Sequence, residues 1–165
     1  MPLLIRDKGN TPFLENLEKE ALAARVPVIR RETQGLIRFL LAAHRPMKIL
    51  EVGTAIGFSA LLMSEYGPEG CHITTIEKCE KRLAQAAENF ARAGRQQQIT
   101  LLAGDALDIL RELEEPVDMI FMDAAKGQYI RFLPDILRLL PEGGLLVSDN
   151  VLQGGDIAES RYAVT

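Results

Sequence analysis

With 165 residues, the chain has the length of one domain, enough to bury about two-thirds of its unfolded surface. Hydrophobic residues make up 47% and charged residues 25%, proportions ordinary for a globular protein, and no apolar stretch approaches the roughly 18 residues of a membrane span. A formal net charge of −4 argues against charge-driven, non-specific nucleic-acid binding. The opening MPLLIRDKGN lacks a signal-peptide pattern, so a cytoplasmic protein without membrane attachment is expected.

Thr11 or Asn10 can cap a first helix from about Pro12 to Arg25, with proline in its first turn. Pro27 breaks it, and Arg31 to Ala43 reads as a second helix closed by His44, Arg45 and Pro46. Strand-like and helix-like segments then alternate. A strand over 48–52 leads to a helix from about Gly57 to Tyr66, and Gly67-Pro68-Glu69-Gly70 is a turn. A strand over 72–76 precedes a helix over 79–93 that Gly94 terminates. A strand over 99–102 precedes a short helix over 106–113. A strand over 117–122 leads to a helix from Tyr129 to Leu140, stopped by Pro141 and Gly143-Gly144, and a fifth strand covers 145–148. Cys71 and Cys79 have no metal or redox spacing and are expected as reduced thiols.

Alternation of this kind predicts an α/β domain with a mostly parallel sheet and helices on both faces. The expected organisation is a single domain over 1–165: N-terminal helices over 1–45, a binding core over 46–150, and a tail over 151–165. That tail follows the fifth strand without strong periodicity, which would leave a sheet edge open unless something else covers it.

Five apolar runs lead into acids: MKILE into Glu51, ITTIE into Glu77, ITLLAGD into Asp105, MIFMD into Asp123 and LLVSD into Asp149. Ligands of open parallel sheets bind outside the carboxyl ends of the strands, so these acids are expected to line one crevice suited to hydroxyls, amines or a cation. The first strand runs into Glu51-Val-Gly53-Thr-Ala-Ile-Gly57-Phe-Ser59. This loop fails the dinucleotide pattern G-x-G-x-x-G, because Ala55 and Phe58 stand where its second and third glycines belong. It also lacks the Gly-Lys-Ser/Thr of a P-loop. Glu77 ends the second strand where an acid in such folds accepts ribose hydroxyls. A ribose acceptor without a pyrophosphate cradle describes a site for S-adenosylmethionine rather than NAD.

ILEVGTAIGFSALLM, TTIEKCEKR, AGDAL, MDAAKGQY and SDNVL, in that order, resemble the cation-dependent class I O-methyltransferases, the catechol and caffeoyl-coenzyme A type. The resemblance covers roughly residues 26 to 155, and within the family the likeness is nearest to bacterial tRNA 5-hydroxyuridine methyltransferases. The resemblance implies a Rossmann-like methyltransferase fold whose last two strands are missing here, since the family ordinarily continues past Asn150. Carried over residue by residue, it implies cofactor contacts at Ile29, Glu51, Gly53, Ser59, Glu77, Asp105, Ala106 and Asp123. Ile29 would touch the methionine end, Glu77 the ribose, Asp105 and Ala106 the adenine, and Asp123 the methionine amino group.

The resemblance further implies a metal site of Asp123, Asp149 and Asn150, an all-oxygen set that selects Mg²⁺, Mn²⁺ or Ca²⁺ over zinc. The cation would hold a substrate hydroxyl and lower its pKa. Lys126, in DAAKGQY, resembles the family's catalytic lysine and would act with Asp123 in the transfer step, as a general base. The expected acceptor is 5-hydroxyuridine in tRNA, with Arg25, Arg30, Arg31, Arg38, Arg45 and Lys48 as candidate phosphate contacts. The alternatives are a small catechol-like or phenylpropanoid substrate, or a cofactor-binding module without activity. A homodimer is expected.

Overall fold

The computed structural model describes residues 9–123 and 128–149. Among these residues, helices and strands follow one another as α1 (Pro12–Ala23), α2 (Arg31–His44), β1 (Lys48–Val52), α3 (Phe58–Tyr66), β2 (His72–Glu77), α4 (Glu80–Arg92), β3 (Ile99–Ala103), α5 (Ala106–Glu112), β4 (Met119–Met122), α6 (Tyr129–Leu139) and β5 (Leu145–Ser148). No helix among them is long and apolar enough to cross a membrane.

All strand pairs are parallel, and the sheet order is β3-β2-β1-β4-β5. The chain winds outward from β1 to β3, then returns to the other side of β1 for β4 and β5. The order therefore reverses between β1 and β4, the place where open α/β sheets bind ligands.

Alternation along the strands splits the core into two layers. Ile49, Ile73, Met119 and Phe121 face a layer built by α1 to α4, whereas Leu50, Val52, Ile76, Ile120 and Met122 face α5 and α6. Helix α3 is buried from Phe58 to Ser64, which explains why its sequence is apolar nearly all round.

Several predicted ends move by one or two residues. Thr11 caps α1, its hydroxyl accepting from the Leu14 N–H at 3.4 Å, while Asn10 turns away to donate to Gln34. Gly57 and Cys79 are the N-caps of α3 and α4 rather than their first residues. Strand β4 starts at Met119 instead of 117, because the Val117 N–H is taken by the Leu139 carbonyl at 2.9 Å. The tail over 151–165 lies outside the described residues.

Candidate functional site

The glycine loop owes its shape to backbone that L side chains avoid. Gly53 has φ +105°, Gly57 φ +85° and Ala55, between them, φ +48°. The Gly53 and Thr54 N–H groups donate back to the Ile76 carbonyl at 3.1 and 3.2 Å, tying the loop to β2. Its centre is anchored by Glu77: the Ala55 N–H donates to Oε2 at 2.9 Å, and the Lys78 and Cys79 N–H groups donate to Oε1 at 2.9 Å. One carboxylate thus fixes both the loop after β1 and the first turn of α4. Half-buried at the cavity wall, it keeps lone pairs for further donors.

That cavity measures about 230 Å³ and is lined by Gly53, Glu77, Lys78, Gly104, Asp105, Ala106, Asp123, Gln128 and Phe132, with Val52 and Ile76 beneath. A small cleft joins it at Gly53 and Asp123, walled by Val28, Ile29, Thr54, Ala55, Phe58 and Ser59. Of the eight positions expected to contact a cofactor, the two clefts line up Ile29, Gly53, Ser59, Glu77, Asp105, Ala106 and Asp123.

Glu51 is placed differently. Strand β1 runs one residue beyond it, so Glu51 points into the α3 layer with no exposed surface. The Ser59 hydroxyl donates to one of its oxygens and the Thr75 hydroxyl to the other, and Thr54 pairs with Thr75 at 2.6 Å. Burial pushes the Glu51 carboxyl up to about 8; the two hydroxyls oppose that rise, and the negative charges of Asp123 and Glu77 add to it. It lines neither cleft and reaches their floor through Ser59.

Asp105 caps α5, accepting from the Leu107 N–H at 2.9 Å, and its other oxygen lies 3.6 Å from Lys78 Nζ. Asp123 and Asp149 directly follow Met122 and Ser148, which are register partners on adjacent strands. The Asp149 N–H closes the ladder on the Met122 carbonyl at 2.9 Å. Neighbouring strands stand about 4.8 Å apart, so the two aspartates are neighbours at the strand ends, Asp123 lining both clefts. Two hard oxygen donors brought to neighbouring strand ends suit Mg²⁺, Mn²⁺ or Ca²⁺ by their chemistry. The third expected donor, Asn150, and the expected base, Lys126, lie outside the described residues. Among the residues described, His, Cys, Asp and Glu side chains do not gather in threes as a metal cluster.

The sequence reading did not find Thr75, Lys78, Gly104 or Gln128. The signal for Thr75 was weak: a threonine inside an apolar strand, which only the pairing of β1 with β2 makes the register partner of Glu51. A larger cavity, about 480 Å³, opens at the opposite end of the sheet between Lys48, Leu50, His72, Thr74, Val117 and Leu139. It lies at the amino ends of the strands, away from the acids and from the switch point.

The chain matches the model of a family described as O-methyltransferase over residues 7–164. It is 39% identical over 133 residues to a catechol O-methyltransferase of Niastella koreensis, covering 78% of this chain and 60% of that protein. To the catechol O-methyltransferase of Mycobacterium tuberculosis it is 36% identical over 160 residues, covering 94% of this chain and 72% of the relative. Among solved structures, the O-methyltransferase from Bacillus cereus in complex with SAH superposes with a TM-score of 0.85 at 27% identity, covering 98% of this chain and 75% of that one. TomG from Streptomyces achromogenes, in complex with SAM, gives a TM-score of 0.83 at 27% identity, covering 98% and 74%. The chain therefore spans about 60% of the Niastella koreensis protein's length. Because the family pattern runs through both arms of the site, from the helices before β1 to the acids after β4 and β5, the chain belongs to the O-methyltransferase family.

Proposed function

We propose that the protein transfers a methyl group from S-adenosylmethionine to a hydroxyl oxygen of a small aromatic substrate bearing a neighbouring oxygen, with the help of a divalent cation. The observation that carries this reading is the joined pair of clefts at the β1–β4 reversal, with Glu77 at one end and Asp123 beside Asp149 at the other. Relatives named as catechol O-methyltransferases support the small acceptor.

S-adenosylmethionine, when bound, supplies a methyl group on a positively charged sulfur. Glu77 would accept the ribose hydroxyls, with its orientation already set by three backbone N–H groups. Asp105 and Ala106 would border the adenine, and Phe132 would cover the apolar floor. Asp123 would take the amino group and Ser59, held by Glu51, the far end of the methionine, beside Ile29. A cation held by Asp123, Asp149 and Asn150 would polarise the acceptor hydroxyl. Lys126 would remove its proton. Much of the acceleration would come from alignment, since loop and strand ends are fixed before either reactant arrives.

The tRNA acceptor lacks comparable support. Arg31 is engaged by Glu18 at 2.7 Å, Arg38 donates to Asn10 and lies over the Tyr66 ring, and Lys48 pairs with Glu115 at the amino end of β1. Three of the six basic residues expected at phosphates are thus engaged within the chain.

The test offers radiolabelled S-adenosylmethionine with a catechol and with hydroxyuridine-containing tRNA, with and without Mg²⁺, to the wild type and to Asp149→Ala. Mg²⁺-dependent labelling of the catechol, lost in the variant while cofactor affinity holds within about threefold, is the expected result. Full activity of Asp149→Ala in chelator-treated buffer would remove the cation, and label in tRNA alone would replace the acceptor.

A further inference from the structure

Tyr129 is the first residue of α6. Its ring packs on the apolar layer shared by α5, α6 and the sheet. Its hydroxyl stands at the strand ends, 2.9 Å from the Asp149 carbonyl and 3.2 Å from the Met122 carbonyl. A phenol has a single proton to donate, so the two carbonyls share it, with the shorter contact on Asp149.

Among the described residues, Met122 and Ser148 are the last register pair of β4 and β5, and the Asp149 N–H to Met122 carbonyl bond is the last rung. Asp149 supplies the N–H of that rung, and the Asp123 N–H donates to the Val52 carbonyl of β1 at 3.0 Å. Neighbouring carboxylates repel, and the repulsion pulls on strand ends held at this point by single backbone bonds. The Tyr129 hydroxyl adds a cross-tie from a helix at this point, and it touches both strands without competing for either carboxylate.

We propose that Tyr129 is a positioning residue that fixes the separation of the Asp123 and Asp149 carboxylates, and so sets which divalent cation they hold. The inference rests on the cation reading above. Mg²⁺ and Mn²⁺ favour short, near-octahedral oxygen coordination, whereas Ca²⁺ accepts longer bonds and irregular geometry. A pair of strand ends free to drift apart would therefore lose affinity for the small cations first.

The experiment compares the wild type with Tyr129→Phe, which keeps the ring and removes the hydroxyl. Mn²⁺ binding is read by electron paramagnetic resonance, Ca²⁺ by competition against Mn²⁺, and SAH by calorimetry, all without a methyl acceptor. The expected result is a roughly tenfold loss of Mn²⁺ affinity, a loss for Ca²⁺ below about threefold, and unchanged SAH affinity. Equal losses for both cations and for SAH would mean general loosening and overturn the proposal. Unchanged Mn²⁺ affinity would overturn it while leaving the cation reading intact. A wild type that binds no Mn²⁺ would overturn both.

Discussion

Glu51 carries a carboxyl group with no exposed surface, in a largely apolar layer where the Ser59 and Thr75 hydroxyls are its partners. Its protonation should follow from that burial, and the sign of its effect on stability can be worked out. The unfolded chain binds this proton up to the ordinary carboxylate range near 4.5, the folded chain up to about 8. Between those values the folded state holds more protons, so stability falls as pH rises through the window and is flat below it. Glu51→Gln keeps the shape and removes the proton. The wild type should lose of order 1 kcal/mol per pH unit relative to the variant between pH 5 and 8, measured by urea unfolding at several pH values. Parallel curves would mean that the folded protein holds Glu51 ionised. The sequence showed an acid near the end of an apolar run, as it did for Glu77, Asp123 and Asp149. The strand over 48–52 was read as it stands, but not which face of it Glu51 takes, and that orientation separates a buried support from a group at the cleft.

At the scale of the element, glycine at Gly57 is required by two independent constraints. Its φ of +85° disfavours any L side chain, and a Cβ built there would run into the ring of Phe90 on α4. Gly94, after α4, has φ +67° but open space around the same position. Gly94→Ala should therefore cost about 1 kcal/mol from backbone strain alone. Gly57→Ala should cost about 2–4 kcal/mol, because ring and loop must also move. Thermal unfolding would separate the two variants by roughly 3–10 °C; equal losses would mean that Phe90 yields freely. Both glycines were legible in the sequence as breaks between helix and strand. Their difference was not, because it depends on a helix 33 residues further along. The strands were legible for the opposite reason: runs of four to six mostly apolar residues, buried on both faces in the central β1 and β4, leave a local signature that needs no partner to be read. Cys79 shows the limit of such signatures, since its place as the cap of α4 follows from the Glu77 carboxylate taking its N–H.

Across the whole molecule, the joined clefts draw residues from the ends of β1, β2, β3 and β4, and from the segment before α2. A ligand filling them touches residues that belong to both helical layers. Any molecule that binds the folded chain alone stabilises it by RT ln(1 + [L]/Kd), about 2.7 kcal/mol at a hundredfold excess over Kd. For a domain of this size that raises the unfolding midpoint by roughly 5–10 °C. SAH should produce this rise and NAD should not, because the loop has no pyrophosphate cradle. Glu77→Ala should act twice. Removing an acceptor of three backbone N–H groups should lower the midpoint of the free protein, and removing the ribose partner should shrink the SAH-induced rise at the same concentration. A tenfold loss of affinity corresponds to about 1.4 kcal/mol, half of that stabilisation. If the variant unfolds earlier but SAH raises its midpoint as much as before, Glu77 holds the loop and nothing more. A rise with NAD and none with SAH would assign the clefts to a different cofactor.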